Sequence, residues 1–377
     1  MKILIINTLP IPSGEASVNR LMSYAKGLTE LGHKVIILSS GSSNDTNFHI
    51  TEEGVEYRNC SKNKSVKSLL SALLYICKFI LQNRKEFKAV ISVTGSPLLI
   101  YPLWLTTRIG GIHYLMEKSE YPLCLINKKP TLLNKIHSHF IVNYRYKFCD
   151  GMLVMTQPLI DYYKTKAKKT CKMHLMPMSV DMTRFENVPL SPIEGDYIAY
   201  CGNMAGNKDG VYNLINAFIK IEKKYPELKL LLIGGSSDPV DFEKLKELAK
   251  PHKQIEFYGR ASREEIPALL KGAKILALAR PSNLQAAGGF PTKLGEYLST
   301  GKPVVVTAVG EIPNYLNNEN SFIVEPDNND LFAYAIDEIL SDYDSAIIRA
   351  QKGRELANSV FNYKMQAVDF AEFLSQL

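Results

Sequence analysis

The run Gly288-Gly289-Phe290-Pro291-Thr292-Lys293-Leu294-Gly295-Glu296-Tyr297-Leu298 holds the residues of this 377-residue chain best placed for chemistry. Gly301-Lys302-Pro303 and the β-branched Val304-Val305-Val306-Thr307 follow it. Pro291 predicts the first turn of a helix, because its missing N–H costs nothing there; Gly301 to Pro303 predicts the stop before a strand. A helix start beside a glycine-rich loop attracts phosphate, since its first N–H groups are unpaired, its dipole end is positive and glycines admit close approach. Lys293 adds a formal charge. Glu296, one turn further in, is placed to accept hydrogen bonds from paired sugar hydroxyls. Phosphate at one end and hydroxyls at the other describe a nucleoside diphosphate sugar.

These residues resemble the donor site of GT-B glycosyltransferases of the large retaining family GT4, the glycosyl transferases group 1. There a segment E-G-F-G-x-x-x-x-E precedes small-G-x-P-V-V. Gly289 and Phe290 match, Glu296 falls on the second glutamate, and Gly301, Pro303, Val304 and Val305 match the tail. Gly288 stands where the first glutamate contacts the donor sugar in the family. The resemblance covers the whole chain, most strongly its second half. It implies an α/β fold of two doubly wound Rossmann-like domains facing each other across a cleft, with a C-terminal helix crossing back to the first. It also implies that the first domain binds acceptor, that the second binds donor, and that transfer proceeds with retention; no metal is expected.

Further site residues follow from the same resemblance. Gly202 to Gly210, then Asn213-Leu214-Ile215-Asn216-Ala217-Phe218, are similar to G-R-x(n)-K-G and its helix, where Arg and Lys neutralise the leaving diphosphate. Lys208 keeps the lysine; Asn203 holds the arginine position, so Arg280 or Lys293 is expected to supply the lost charge. Arg260, after a strand, falls where relatives read the nucleotide base, or else stays solvated. Gly289, Phe290, Pro291 and Thr292 form the donor loop with Glu296. Gly14 lies where the family sets a glycine-rich loop against donor and acceptor. Glu120 follows a strand where relatives carry a polar group facing the reacting sugar, with Glu117 as the alternative. Glu120, Lys208 and Lys293 are thus the expected catalytic residues. The partners implied are a nucleotide-sugar donor as co-substrate, with no further cofactor, and a glycan or lipid-linked acceptor in polysaccharide or cell-surface glycan synthesis. A nucleotide-sugar epimerase of the same architecture, or a non-catalytic sugar-nucleotide-binding paralogue, remains the alternative.

Several other motifs carry no chemistry. Asp342-Tyr343-Asp344 has the D-x-D form of metal-dependent transferases but sits in an acidic helical tail. His137 and His139 are two apart, so their rings diverge on a helix. No G-x-G-x-x-G follows the first strand, which argues against a dinucleotide enzyme.

The net charge of +7 divides unevenly. Residues 1 to 190 carry 25 Lys and Arg against 13 Asp and Glu, and the remainder carry 20 against 25, so the halves are +12 and −5. A basic half fits a phosphorylated acceptor or an anionic membrane surface, or is simply a solvated lysine-rich face. Nucleic acid is not indicated, because no aromatic-and-basic motif accompanies the charge. Six scattered cysteines without a C-x-x-C pair read as reduced-compartment usage. The first apolar run reads as a strand rather than a signal peptide, and no run reaches the roughly 18 to 20 residues that span a bilayer. The expectation is a cytoplasmic protein with the inner membrane face open to peripheral attachment.

Short β-branched runs alternating with amphipathic segments predict two α/β domains. In the first half the strands are Lys2 to Asn7, Lys34 to Ser39, Ala89 to Val93, His113 to Glu117, Gly151 to Met155 and Lys172 to Met176. In the second they are Tyr197 to Cys201, Lys229 to Ile233, Ile255 to Tyr258, Ile275 to Ala279, Val304 to Thr307 and Phe322 to Val324. Pro189, Pro192 and Gly195 mark a boundary, giving domains 1–188 and 189–361 and a last helix, 362–377.

Overall fold

The computed structural model describes residues 1–13, 15–122 and 142–377; Gly14, Cys124, His137 and His139 lie outside the described residues. The chain forms two compact units. Met1–Ser179 with Tyr363–Leu377 make the first, and Val180–Asn362 the second.

Unit 1 is built on eight strands: β1 (Lys2–Asn7), β2 (Lys34–Ser42), β3 (Phe48–Ile50), β4 (Glu56–Ser61), β5 (Phe87–Ser92), β6 (His113–Lys118), β7 (Gly151–Val154) and β8 (Lys172–Leu175). Their order is β3-β4-β2-β1-β5-β6-β7-β8, all parallel except the antiparallel β3 edge. Runs such as Ile3-Leu4-Ile5-Ile6 are buried on both faces, as a sheet covered by helices requires. One core lies under α1 (Ala16–Glu30), with Leu21, Tyr24 and Leu28 against Ile3, Ile5 and Leu115. The other lies under α2 (Val66–Gln82) and α3 (Pro97–Gly110), with Ile76, Ile80 and Leu103 against Leu4, Val90 and Met116. A short helix, α4 (Gln157–Lys164), follows β7.

Unit 2 carries six parallel strands in the order β11-β10-β9-β12-β13-β14. They are β9 (Tyr197–Asn203), β10 (Lys229–Gly235), β11 (Ile255–Gly259), β12 (Ile275–Leu278), β13 (Val304–Thr307) and β14 (Phe322–Val324). Its helices are α5 (Val211–Ile221), α6 (Pro239–Ala249), α7 (Ile266–Gly272), α8 (Leu284–Gly288), α9 (Thr292–Ser299), α10 (Asn329–Ser341) and α11 (Tyr343–Leu356). The strand order reverses at β9, whose neighbours are β10 and β12. That reversal opens a crevice at the carboxyl ends, where ligands bind in such sheets.

Every strand read from the sequence is present, and β3 and β4 are additional. The boundary falls at Ser179 and Val180, not near residue 188. Val180 already bridges to Asn362, and the 3-10 turn Met182–Phe185 packs into unit 2, where Ser299 Oγ donates to Met182 Sδ at 2.9 Å. The Pro and Gly cluster is therefore a loop inside unit 2. The last helix, α12 (Tyr363–Ser375), belongs to unit 1 and lies against α1.

Candidate donor site

At the carboxyl end of β9 the chain turns through Gly202 and Asn203 into a 3-10 turn, Ala205–Asn207, and then α5. Gly210 caps α5 with φ +74°, and a Cβ there would stand 1.7 Å from the Ala279 carbonyl oxygen. Glycine thus lets the β9–α5 turn lie directly on the end of β12. That contact brings Asp209, two strands' loops and α9 together.

Asp209 is the centre of the site. Its Oδ1 lies 3.4 Å from Arg280 Nε, and its Oδ2 accepts from Lys293 Nζ and, at 3.3 Å, from the Tyr200 hydroxyl. Lys293 also donates to the Tyr200 oxygen at 3.0 Å and lies 4.6 Å from the centre of that ring. Arg280 is 1% exposed, and its Nη1 donates to the Gly289 carbonyl at 3.3 Å. Burial pushes the Asp209 carboxyl up, but Lys293 and Arg280 outweigh it and hold the group below the usual carboxylate range. Burial, reinforced by Asp209, pushes the Tyr200 phenol well up, so it stays neutral and donates. Two cations share one carboxylate, and the cluster keeps a net positive charge. Lys208, next in chain to Asp209, adds to that field.

The sequence expectation made Lys293 and Arg280 direct partners of the donor diphosphate. The structure engages both with Asp209, because cations drawn out of water require a counter-charge. A Cβ on Gly202 would come 2.3 Å from Lys293 Nζ, so this glycine makes the room for the ammonium group. Pro291 is the N-cap of α9, not a residue of its first turn; Thr292 opens the helix, and no side chain caps it. The phosphate-seeking helix start therefore stands one residue later than the sequence predicted. Asn283 caps the preceding helix α8, its Oδ1 accepting from Ala286 N–H at 2.8 Å.

Glu296 has a partner that sequence reading missed. Its Oε1 accepts from Arg184 Nη1 at 2.7 Å, and Arg184 Nη2 donates to the Arg263 carbonyl at 2.9 Å. Among the described residues no hydrogen bond reaches Oε2. Tyr297, the next residue, accepts the Cys201 N–H at 2.7 Å and so ties α9 to the end of β9. Phe290 was expected at the donor. Its ring is buried instead, stacked on Tyr315 at 5.4 Å and set edge-on to Phe361 at 5.5 Å. It anchors the loop by packing.

Asn203, at the position expected to hold an arginine, stitches two loops: its Nδ2 donates to Ser237 Oγ at 3.1 Å, and its Oδ1 accepts from Ser237 N–H at 3.2 Å and Ala205 N–H at 3.1 Å. Arg260 is exposed at the end of β11, where a Cβ on Gly235 would lie 3.4 Å from its Nε. In unit 1, Glu120 is half-buried after β6, and its carbonyl accepts from the Tyr163 hydroxyl at 3.0 Å. Glu117 is buried and paired with Arg20 Nη1 of α1. Asp342, of the D-x-D sequence, caps α11 through Ser345 N–H. Asp209, Tyr200 and Arg184 were not singled out from the sequence, though the Lys208-Asp209-Gly210 triplet is a local signal for the first.

Residues 195–342, which include Tyr200, Asp209, Arg280, Lys293 and Glu296, match the family model described as glycosyl transferases group 1. Over those residues the chain is similar to that family. A GDP-mannose-dependent alpha-(1-6)-phosphatidylinositol monomannoside mannosyltransferase of Mycobacterium tuberculosis is 25% identical over 212 residues, 53% of this chain and 54% of that protein. A putative colanic acid biosynthesis glycosyltransferase, WcaL, of Escherichia coli is 25% identical over 259 residues, 64% of this chain and 61% of its own. The chain thus spans a little over half the length of the curated relatives it matches. Among solved structures, HepE of Anabaena in complex with UDP-glucose aligns over all of both chains, with a TM-score of 0.75 at 15% identity. Sucrose-phosphate synthase of Thermosynechococcus elongatus covers 100% of this chain and 98% of its own, with a TM-score of 0.74 at 16% identity. At these identities the GT-B fold is what these structures share with it.

Proposed function

We propose that the chain transfers a hexosyl group from a nucleoside diphosphate sugar to an acceptor hydroxyl, with retention and without a metal, in polysaccharide or cell-surface glycan synthesis. One observation carries this reading. Arg280 and Lys293 share Asp209 immediately behind the uncapped start of α9, so excess positive charge and unpaired N–H groups converge where a diphosphate would leave. Charge that grows on the departing diphosphate is stabilised by donors already in place, with Lys208 beside them. Glu296, held by Arg184, presents Oε2 to ribose hydroxyls. Arg260 stands at the base end, and Thr292 meets the phosphates through its backbone N–H, with Gly289 and Pro291 shaping the loop before it. Unit 1 receives the acceptor. The GDP-mannose dependence of one relative and the UDP-glucose bound to HepE name the donor classes to try first.

The measurement is release of free nucleoside diphosphate from GDP-, UDP- and dTDP-sugars, with and without acceptor. Release that requires acceptor and survives a chelator is expected. Conversion of the sugar nucleotide without acceptor would identify an epimerase, and binding without turnover a non-catalytic paralogue.

The place of work proposed is the cytoplasmic face of a membrane. Among the described residues no helix is long and apolar enough to cross one. Yet Val66, Leu70 and Leu74 of α2 and Leu98, Leu105 and Ile109 of the adjoining α3 are exposed, with Lys67 and Lys78 among them. Apolar side chains ringed by cations suit an anionic lipid surface. Co-sedimentation with phosphatidylglycerol vesicles is expected, falling severalfold in Leu74→Glu/Leu105→Glu; binding indifferent to that pair would sink the assignment.

A further inference from the structure

Among its described residues, unit 1 holds two buried cations without a carboxylate of their own. Parallel β5 and β6 end side by side, Ser92 level with Met116. The chain leaves β5 through Thr94, Gly95 and Ser96 into α3, while β6 ends on Lys118. Arg145 opens the 3-10 turn Arg145–Phe148 that leads into β7. Lys118 is 9% and Arg145 6% exposed. Lys118 Nζ donates to the Thr94 carbonyl at a long 3.4 Å, and Arg145 Nε has no hydrogen-bond partner among the described residues. A Cβ on Gly95 would stand 4.0 Å from Arg145 Nη1, which fixes the guanidinium over the β5–α3 loop.

Among the described residues neither cation forms an ion pair. Glu117, the nearest carboxylate in the chain, is held by Arg20 of α1 on the opposite face of the sheet, as alternation along a strand dictates. Arginine cannot shed its proton, so its burial without a counter-ion is costly unless something anionic completes the site. The location agrees: these groups sit beyond the carboxyl ends of parallel strands and beside the start of α3, whose N-cap Ser96 makes no side-chain cap bond. Burial, opposed by Glu117 and assisted by Arg145, lowers the Lys118 ammonium to about 8. A planar fork and a point charge, together +2, match a phosphate better than a monovalent carboxylate.

We propose that Lys118 and Arg145 bind a phosphate group of the molecule that receives the sugar. The word "receives" rests on the transferase reading; the anion site does not. A phosphorylated sugar and a lipid diphosphate share this chemistry, and the experiment separates them. The intact protein is titrated calorimetrically with inorganic pyrophosphate, a hexose phosphate, farnesyl diphosphate and, as control, the nucleoside diphosphate that binds best. Arg145→Gln should weaken at least one of the first three probes tenfold or more and leave the nucleoside diphosphate within twofold. Arg145→Lys, which keeps the charge and guards against loss of fold, should fall between. Tighter farnesyl diphosphate points to a lipid acceptor and tighter hexose phosphate to a soluble one; either supports the site. Equal affinities in all three proteins, or weak binding blind to Arg145, would overturn it. If the wild type binds a phosphorylated probe through Arg145 but no nucleoside diphosphate, the anion site stands and the transferase reading falls.

Discussion

Asp209 decides the candidate donor site, because without it the buried Arg280 and the half-buried Lys293 face each other unpaired by a carboxylate. Breaking a buried pair by removing one partner costs about 3 to 5 kcal/mol, since the other charge is left uncompensated. Asp209→Asn should therefore lower unfolding stability by about 3 kcal/mol in urea titrations at pH 7. The pH dependence has a fixed sign. The carboxyl lies below its ordinary value in the folded state, so its contribution is present above the unfolded value near 4 and is lost as pH falls through the folded one. The wild-type advantage over the Asn variant should be flat from pH 5 to 7 and shrink in acid; a difference independent of pH would exclude the ion pair as its source. Glu296 tests the other end. Its truncation to Ala removes the hydroxyl acceptor and leaves Arg184 without its carboxylate, so calorimetric nucleotide affinity should drop at least tenfold. Unchanged affinity would rule out the ribose assignment. The residue types at Gly289, Lys293 and Glu296 were legible because helix start, charge and carboxylate fall within one short segment. Arg184 was not, because it stands 112 positions before Glu296, and only the folded turn at Met182–Phe185 brings it close.

At the scale of elements, the site exists because a turn is pressed onto a strand end. Two glycines of that turn separate the causes. Gly206, with φ +64°, has open space around a would-be Cβ, whereas Gly210, with φ +74°, meets the Ala279 carbonyl oxygen at 1.7 Å. Gly206→Ala should cost about 1 kcal/mol, the backbone term alone. Gly210→Ala must in addition push the turn off β12 and carry Asp209 away from Arg280, so its loss should exceed 3 kcal/mol. It should also abolish nucleotide binding. Equal losses in urea melts would show that the close approach carries no weight. Strands were legible where β-branched runs are buried on both faces, as in Ile3 to Ile6 or Val304 to Val306. They were not where burial is partial: β4 reads Glu-Tyr-Arg-Asn-Cys-Ser, and β3 is a three-residue edge held only by pairing to it. The same limit applies to function, since Phe290 and Asn203 look like ligand residues until their packing and loop-stitching partners are known.

At the scale of the whole molecule, the chain leaves unit 1, builds unit 2 and returns to finish unit 1 with α12. The return is structural. Phe370, Phe373 and Leu374 are buried in the core under α1, Tyr24 meets Phe370 edge-on at 5.9 Å, and the Tyr363 hydroxyl donates to Glu30 at 2.8 Å. Burying each large apolar side chain contributes about 1.5 to 3 kcal/mol. Three of them, with Ala367 packed against the would-be Cβ of Gly27, amount to roughly 5 to 9 kcal/mol, comparable with the net stability of a whole domain. Removing residues 363–377 should therefore unfold unit 1 while unit 2, whose sheet and helices lie within Val180–Asn362, keeps its own core. Hydrogen exchange on the shortened protein should show β1, β5 and β6 exchanging freely and β9, β10 and β12 still protected, with nucleotide binding retained and phosphate binding at Arg145 lost. Protection lost in both units together would mean that unit 2 does not hold its fold without the first, and the donor site would then depend on the helix that closes the chain.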